Sequence, residues 1–265
     1  MATDSKKKYS EKARQCRLKV LEMIHKAGTS HIASNFSVID IATVLYENLK
    51  PEDKVVWSKG WVAATIYYFL AQQGIIPKED LEIFGKEING EIKYLGLVET
   101  TTPGIHANAG SMGHGLPIAT GMALAKKLKG EPGNVYCIMS DGEMNEGTTW
   151  ESAMFAAHHK LDNLVVVVDK NKWQAMGTTE EVLNVNIGQA FQGFGWHSEP
   201  INGHNFQEIQ EALDTNIYKK GRPICVVADT IKGKGVSFME DHLLFHYRHV
   251  DEENYKMAKA ELENA

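Results

Sequence analysis

Between residues 135 and 171 the chain alternates apolar runs with short acidic turns. Val135-Tyr136-Cys137-Ile138-Met139 is continuously apolar and rich in β-formers, the pattern of a strand buried on both faces of a parallel sheet. It stops at Ser140-Asp141-Gly142. Over residues 148–160, Trp150, Ala153, Met154, Ala156 and Ala157 recur at helical spacing, with Thr148 or Thr149 placed to cap the start. A second β-branched run, Leu164-Val165-Val166-Val167-Val168, ends at Asp169-Lys170-Asn171. Strand, turn, helix, strand, turn is the repeating unit of an α/β fold, so the pattern predicts a mostly parallel sheet flanked by helices.

The same periodicities order the rest. Residues 10–26 carry Ala13, Cys16, Val20, Leu21 and Ile24 on one helical face, with Gly28 as the stop. Ser37 is expected to cap a second helix bearing Ile41, Leu45 and Leu49. Val55-Val56-Trp57 reads as a short first strand, leading through Ser58-Lys59-Gly60 into an apolar helix over residues 61–73. A charged helix is expected from Lys78, and Pro117 fits the first turn of another that runs to Gly130. A helix over 186–194 precedes an edge strand near His197; Asn205 to Glu208 has capping-box spacing; residues 223–229 form a further buried strand. The tail from Asp251 reads as a polar, peripheral helix.

Composition narrows the classes. A chain of 265 residues with 43% apolar and 23% charged residues suits one large α/β domain, and residues 1–265 are taken as such. The net charge, 28 − 34 = −6, gives no support for nucleic-acid binding, and Lys6-Lys7-Lys8 reads as a solvated, frayed terminus. Three cysteines cannot all pair within the chain, and Cys137 and Cys225 fall in predicted strands, which favours a reducing compartment. No secretory segment and no apolar run long enough to span a bilayer is present, so the expected location is cytoplasmic, with no membrane partner.

Chemistry enters at the turns. In an open parallel sheet, both acidic turns lie at the carboxyl edge, where such folds bind ligands. Asp141 and Asn171, 171 − 141 = 30 positions apart, can therefore meet. A carboxylate and an amide oxygen suit a small hard cation that keeps other positions for phosphate oxygens, as Mg²⁺ does, with Ca²⁺ or Mn²⁺ as substitutes. Gly142 lets backbone approach a phosphate closely.

The stretch from Asp141 through Gly142, Glu146, Gly147, Glu151, Leu161, Asn163 and Asp169 to Asn171 resembles the thiamin-diphosphate signature of the transketolase family, with Ser140 in place of its first Gly. A second match, Thr102-Pro103-Gly104 followed by Gly110-Ser111-Met112-Gly113-His114-Gly115, resembles the segment whose backbone flanks the diphosphate and the thiazolium ring. The resemblance implies that Ser111, Met112, Gly113, Gly142, Glu146, Asn171, Lys232 and His246 bind the cofactor. It assigns the metal to Asp141, Asn171 and the Trp173 carbonyl, and active-site roles to His31 and His246. Lys232 belongs to the Lys232-Gly233-Lys234-Gly235 turn. Trp61 stands where the family has a histidine near the reactive carbon. Leu95-Gly96-Leu97-Val98 replaces a Gly-His-Pro, for which His106 could compensate.

The resemblance covers only the family's amino-terminal, diphosphate-binding domain. It implies a catalytically incomplete chain that pairs with a second subunit carrying the pyrimidine-binding and C-terminal domains, as a two-plus-two heterotetramer, with Glu146 and Glu151 at the interface. The activity it implies is transfer of a two-carbon ketol unit between sugar or related carbonyl substrates. Decarboxylating acyl transfer from a 2-oxo acid, or a non-catalytic scaffold role, are the alternatives.

Overall fold

The computed structural model describes residues 2–218 and 220–265, with side chains from residue 6 onward. In chain order the elements are α1 (Ala2–Ala27), α2 (Ile32–Asn48), β1 (Lys54–Trp57), α3 (Ala63–Gln72), α4 (Gly115–Lys129), β2 (Val135–Ser140) and α5 (Gly147–His158). They continue with β3 (Leu164–Lys170), α6 (Thr179–Val182), α7 (Ile187–Gly193), β4 (His197–Asn202), α8 (Phe206–Leu213), β5 (Ile224–Asp229) and α9 (Glu252–Glu263).

The described strands form one five-stranded sheet in the order β1-β2-β3-β5-β4, every pairing parallel. Successive side chains of a strand leave opposite faces, and here both faces are covered. Tyr136, Ile138, Val165, Val167 and Val226 enter a core closed by α1, α2, α3, α8 and α9. Cys137, Met139, Val166, Val168 and Cys225 enter a second core under α4, α5 and α7. This two-sided burial is why the strands read as unbroken apolar runs. All three cysteines are buried and free.

Several local expectations are corrected. Lys6, Lys7 and Lys8 are exposed but belong to α1, which begins well before residue 10. Ser37 caps nothing: it lies within α2, where its hydroxyl donates to Asp169 Oδ2 at 2.6 Å. Thr148 and Thr149 likewise donate to the carbonyls of Gly113 and Glu143, and α5 starts without a side-chain cap. The charged segment after Pro77 makes only a 3₁₀ turn, Lys78–Ile83. Helix α9 is less peripheral than its composition suggests, since Ala258 and Leu262 are buried in the core and Tyr255 stacks on His25. Met154, expected on the inward face of α5, is 49% exposed. Among the described residues no helix is long and apolar enough to cross a membrane.

Candidate active site

Because the strands are parallel, the segments following β1, β2, β3 and β5 emerge at one edge of the sheet. There the segments after β1, β2 and β3, together with the loops holding His31, Leu97, Gly110 to Met112 and His246, enclose a cavity of about 670 Å³. That volume suits a sizeable small-molecule ligand. His31, Ser111, Met112, Gly142, Glu146, Asn171, Trp173 and His246 all line it.

Asp141 and Asn171 are brought together by register. Ser140 pairs with Asp169, so the residues just beyond them share the edge. Asp141 Oδ2 accepts the Lys172 N–H at 2.6 Å and Oδ1 accepts the Gly142 N–H at 3.0 Å. Asn171 Oδ1 accepts the Trp173 N–H at 3.1 Å. Both side chains are buried, and no described ion pair includes Asp141. Burial, and then the nearby Asp169 charge, push the Asp141 carboxyl up to about 6.

This arrangement fits a cation-held diphosphate on three counts. A buried carboxylate whose nearby lysines, Lys59 and Lys232, form no described ion pair with it is costly, and a divalent ion would supply a direct counter-charge. No described backbone hydrogen bond ends on the Trp173 carbonyl oxygen, which leaves it free as a donor to metal. Gln174 Nε2 is buried in the cavity wall with no hydrogen-bond partner among the described residues. Among the described residues no cluster of three or more His, Cys, Asp or Glu could hold a metal, so the cation would depend on this mixed carboxylate, amide and carbonyl set.

Behind the wall lies a second layer of charge. Lys59 Nζ meets Asp169 Oδ2 at 2.5 Å, and Ser37 and Thr230 also donate to that carboxylate, which is fully buried. Burial raises Asp169, but Lys59 together with the Ser37 and Thr230 hydroxyls outweighs it and holds the group below the usual carboxylate range. Lys232 is fully buried too, and its Nζ lies 2.6 Å from His246 Nδ1. It therefore reaches the cavity through His246 rather than by lining it. With Lys232 in its ammonium form, which only donates, Nδ1 accepts and the His246 N–H sits on Nε2. Burial, then Lys59, lower Lys232 to about 7; burial, then Lys232, lower His246 to about 3 and His31 to about 4. Both imidazoles are neutral hydrogen-bonding groups at neutral pH.

His31 has a left-handed backbone, φ 69°, fixed by its N–H donating to the His246 carbonyl. Trp61 stacks on its ring with centroids 4.9 Å apart and planes at 17°. The Trp61 indole N–H is taken by the Gly110 carbonyl at 2.8 Å. Leu97 fills the space beside Gly110, where a Cβ would fall 1.9 Å from Leu97 Cδ1. The two positions that lack the family's histidines thus form one apolar wall. His106 does not compensate: it lies with Lys54 and Gln73 around a separate hollow by β1. Gly60 is equally constrained, since a Cβ there would sit 2.2 Å from the Ala109 carbonyl oxygen. Gly60→Ala should therefore cost about 1–3 kcal/mol by overpacking, read as a lower urea midpoint with unchanged slope. An unchanged midpoint would contradict this packing.

Glu143 carries no signal in the sequence beyond an acidic turn, yet it organises the loops. It is fully buried and accepts from the Ser58 hydroxyl, from Gly113 N–H at 3.1 Å and from Ser140 N–H at 3.1 Å. The Gly113 amide is therefore engaged with protein rather than open to a ligand. Asp169 is one of the positions that match the family signature and Lys59 lies in the Ser58-Lys59-Gly60 turn, but that the two pair in the interior is visible only once the register is known.

The family description "Transketolase, thiamine diphosphate binding domain" matches residues 8–264. The chain is 37% identical over 254 residues to the 6-deoxy-6-sulfo-D-fructose transketolase subunit SqwG of Clostridium sp. (strain MSTE9), covering 92% of each. It is 34% identical over 264 residues to an apulose-4-phosphate transketolase subunit of Phocaeicola vulgatus, covering 96% of this chain and 92% of that one. The crystal structure of transketolase from Campylobacter jejuni superposes with a TM-score of 0.89 at 29% identity, covering 96% of this chain but only 42% of the solved one. This chain thus spans about two fifths of a solved transketolase and nearly all of proteins named as subunits. It belongs to the transketolase family, as a diphosphate-binding subunit of the divided, transketolase-like kind.

Proposed function

We propose that residues 1–265 act as a single domain that holds thiamin diphosphate through a divalent cation, Mg²⁺ foremost, at Asp141, Asn171 and the Trp173 carbonyl. In this reading the chain joins a second subunit carrying the pyrimidine-binding and C-terminal domains in a two-plus-two heterotetramer in the cytoplasm. The assembly transfers a two-carbon ketol unit between sugar-type or related carbonyl substrates. The observation that supports it most is Asp141: a buried carboxylate whose described hydrogen bonds all come from backbone N–H groups, held between Gly142 and Asn171, which line the cavity, although Asp141 itself does not.

Bound there, thiamin diphosphate supplies an electron sink for carbon–carbon bond chemistry. The chain's own groups hold and orient. His246 presents an Nε2–H donor when Lys232, as an ammonium, donates to its other nitrogen. Neutral His31 offers a hydrogen bond from a ring held by Trp61, with Nδ1 already engaged with the Ser30 hydroxyl at 2.7 Å. Lys59 is neutralised by Asp169, so the positive charge beside the cavity that suits a diphosphate is that of Lys232 in its ammonium form.

Calorimetric titration of thiamin diphosphate with MgCl₂, into the chain alone and with its copurified partner, tests this reading. Saturable binding that EDTA abolishes is expected, with turnover only when the partner is present. Absence of binding in both cases, or full turnover by the isolated chain, would overturn it. The apolar wall of Trp61 and Leu97 favours one variant reading, a less hydroxylated donor such as a 2-oxo acid. Rates with pyruvate, hydroxypyruvate and ketose phosphates separate the two.

A further inference from the structure

Lys232 and His246 act on the cavity only if the turn that carries Lys232 is held still, and that turn is gripped by residues remote from the cavity. Arg17 of α1 forms a bidentate pair with Asp40 of α2, Nη1 to Oδ1 and Nη2 to Oδ2, both at 2.9 Å. The same guanidinium donates through Nε to the Lys234 carbonyl at 2.9 Å. His204, in the loop between β4 and α8, places Nδ1 2.7 Å from Asp40 Oδ2, while its Nε2 accepts the Ile231 N–H at 2.8 Å. Between them, Gly233 N–H donates to the Ala33 carbonyl at 2.9 Å. The backbone on either side of Lys232 is thus tied at Ile231, Gly233 and Lys234.

The bonding fixes the protonation pattern. Nε2 accepts a backbone N–H, so the single ring proton is on Nδ1 and donates to Asp40. Arg17 and Asp40 are 7% and 4% exposed, so each depends on the other for compensation. Nothing in this cluster touches the cavity, and the chemistry of the cofactor site gives it no part.

We infer that Arg17, Asp40 and His204 are positioning residues: a buried clamp from α1 and α2 to the turn after β5, which sets where the Lys232 ammonium meets His246 and so tunes the affinity of the cavity for a diphosphate. This inference rests on the proposed cofactor site. The clamp acts through backbone, so its loss displaces Lys232 without removing any group from the cavity. Supporting residues of this kind commonly change ligand affinity by roughly 10–100-fold.

The test compares His204→Phe, which keeps ring volume but loses both bonds, with His204→Gln, whose amide can still accept from Ile231. The full chain with its partner subunit is titrated with thiamin diphosphate and Mg²⁺, and separately with inorganic pyrophosphate and with thiamin as competitors. His204→Phe is expected to weaken thiamin diphosphate and pyrophosphate by about tenfold or more while leaving the thiamin inhibition constant within about twofold. At saturating cofactor, kcat stays near wild type, and His204→Gln recovers part of the loss. Equal affinities in His204→Phe and wild type would overturn the clamp, as would parallel weakening of thiamin and pyrophosphate, the signature of general loosening. Absence of thiamin-diphosphate binding in the wild type would instead overturn the cofactor site itself.

Discussion

Replacing Asp141 with alanine should lower the affinity for thiamin diphosphate and Mg²⁺ by at least about 100-fold, because a directly ligating carboxylate outweighs the tenfold to 100-fold effects typical of groups one step removed. The same residue should make binding pH-dependent. Its folded value, about 6, is above the ordinary 3.8. The cation needs the ionised form, so affinity should fall about tenfold per pH unit below that value and level off above it. Stability without ligand runs the other way. A group whose folded value is raised contributes stability that is fully present below pH 3.8 and lost as pH passes about 6, a difference on the order of 3 kcal/mol. Set against Asp141→Ala at each pH, the empty wild-type protein should therefore lose relative stability between pH 5 and pH 8, and cofactor with Mg²⁺ should reverse that difference; the comparison removes the opposite contribution of Lys232, His31 and His246, whose lowered values favour the fold at higher pH. Wild-type affinity in Asp141→Ala would remove Asp141 from the site.

Lys59→Met is expected to have the largest effect on stability. The lysine is the compensating charge of Asp169, which is fully buried. Removing it leaves a carboxylate in the interior with only the Ser37 and Thr230 hydroxyls, at a cost of about 3–5 kcal/mol. For a chain of this size that is a melting point about 10 °C lower. Lys59→Met combined with Asp169→Asn should recover most of the loss, since an amide still accepts from a hydroxyl and carries no charge. A double variant no better than the single one would show that Lys59 acts by packing and not by charge.

How far the sequence speaks depends on whether a feature is local. The buried strands announce themselves because a parallel sheet covered on both faces leaves no polar side, as in Val165 to Val168. The Asp141 and Asn171 turns follow from those strands, and the cavity lies where they point. Ser37, Thr148 and Thr149 read as caps only because local spacing suggests capping; each instead bonds outside its own helix start, to Asp169, Gly113 and Glu143. His106 sits only a few residues before the glycine-rich loop, yet the chain between carries it to another surface. The Lys232 turn is recognisable by its glycines and lysines, but not that its first lysine is buried and turned onto His246. Pairings across long separations leave no local pattern to read.

The bonds converging on Glu143 bear on how the molecule assembles. Ser58 and Glu143 are 85 positions apart, and Gly115 reaches Ser58 across a further 57. Closing such loops carries an entropic penalty that neighbouring helical turns do not. The pairing of β1 with β2, Val56 opposite Cys137, closes a loop of similar length, so the cleft is expected to form in step with that pairing, and pulsed amide exchange at Gly113 should show protection arriving together with that of β2.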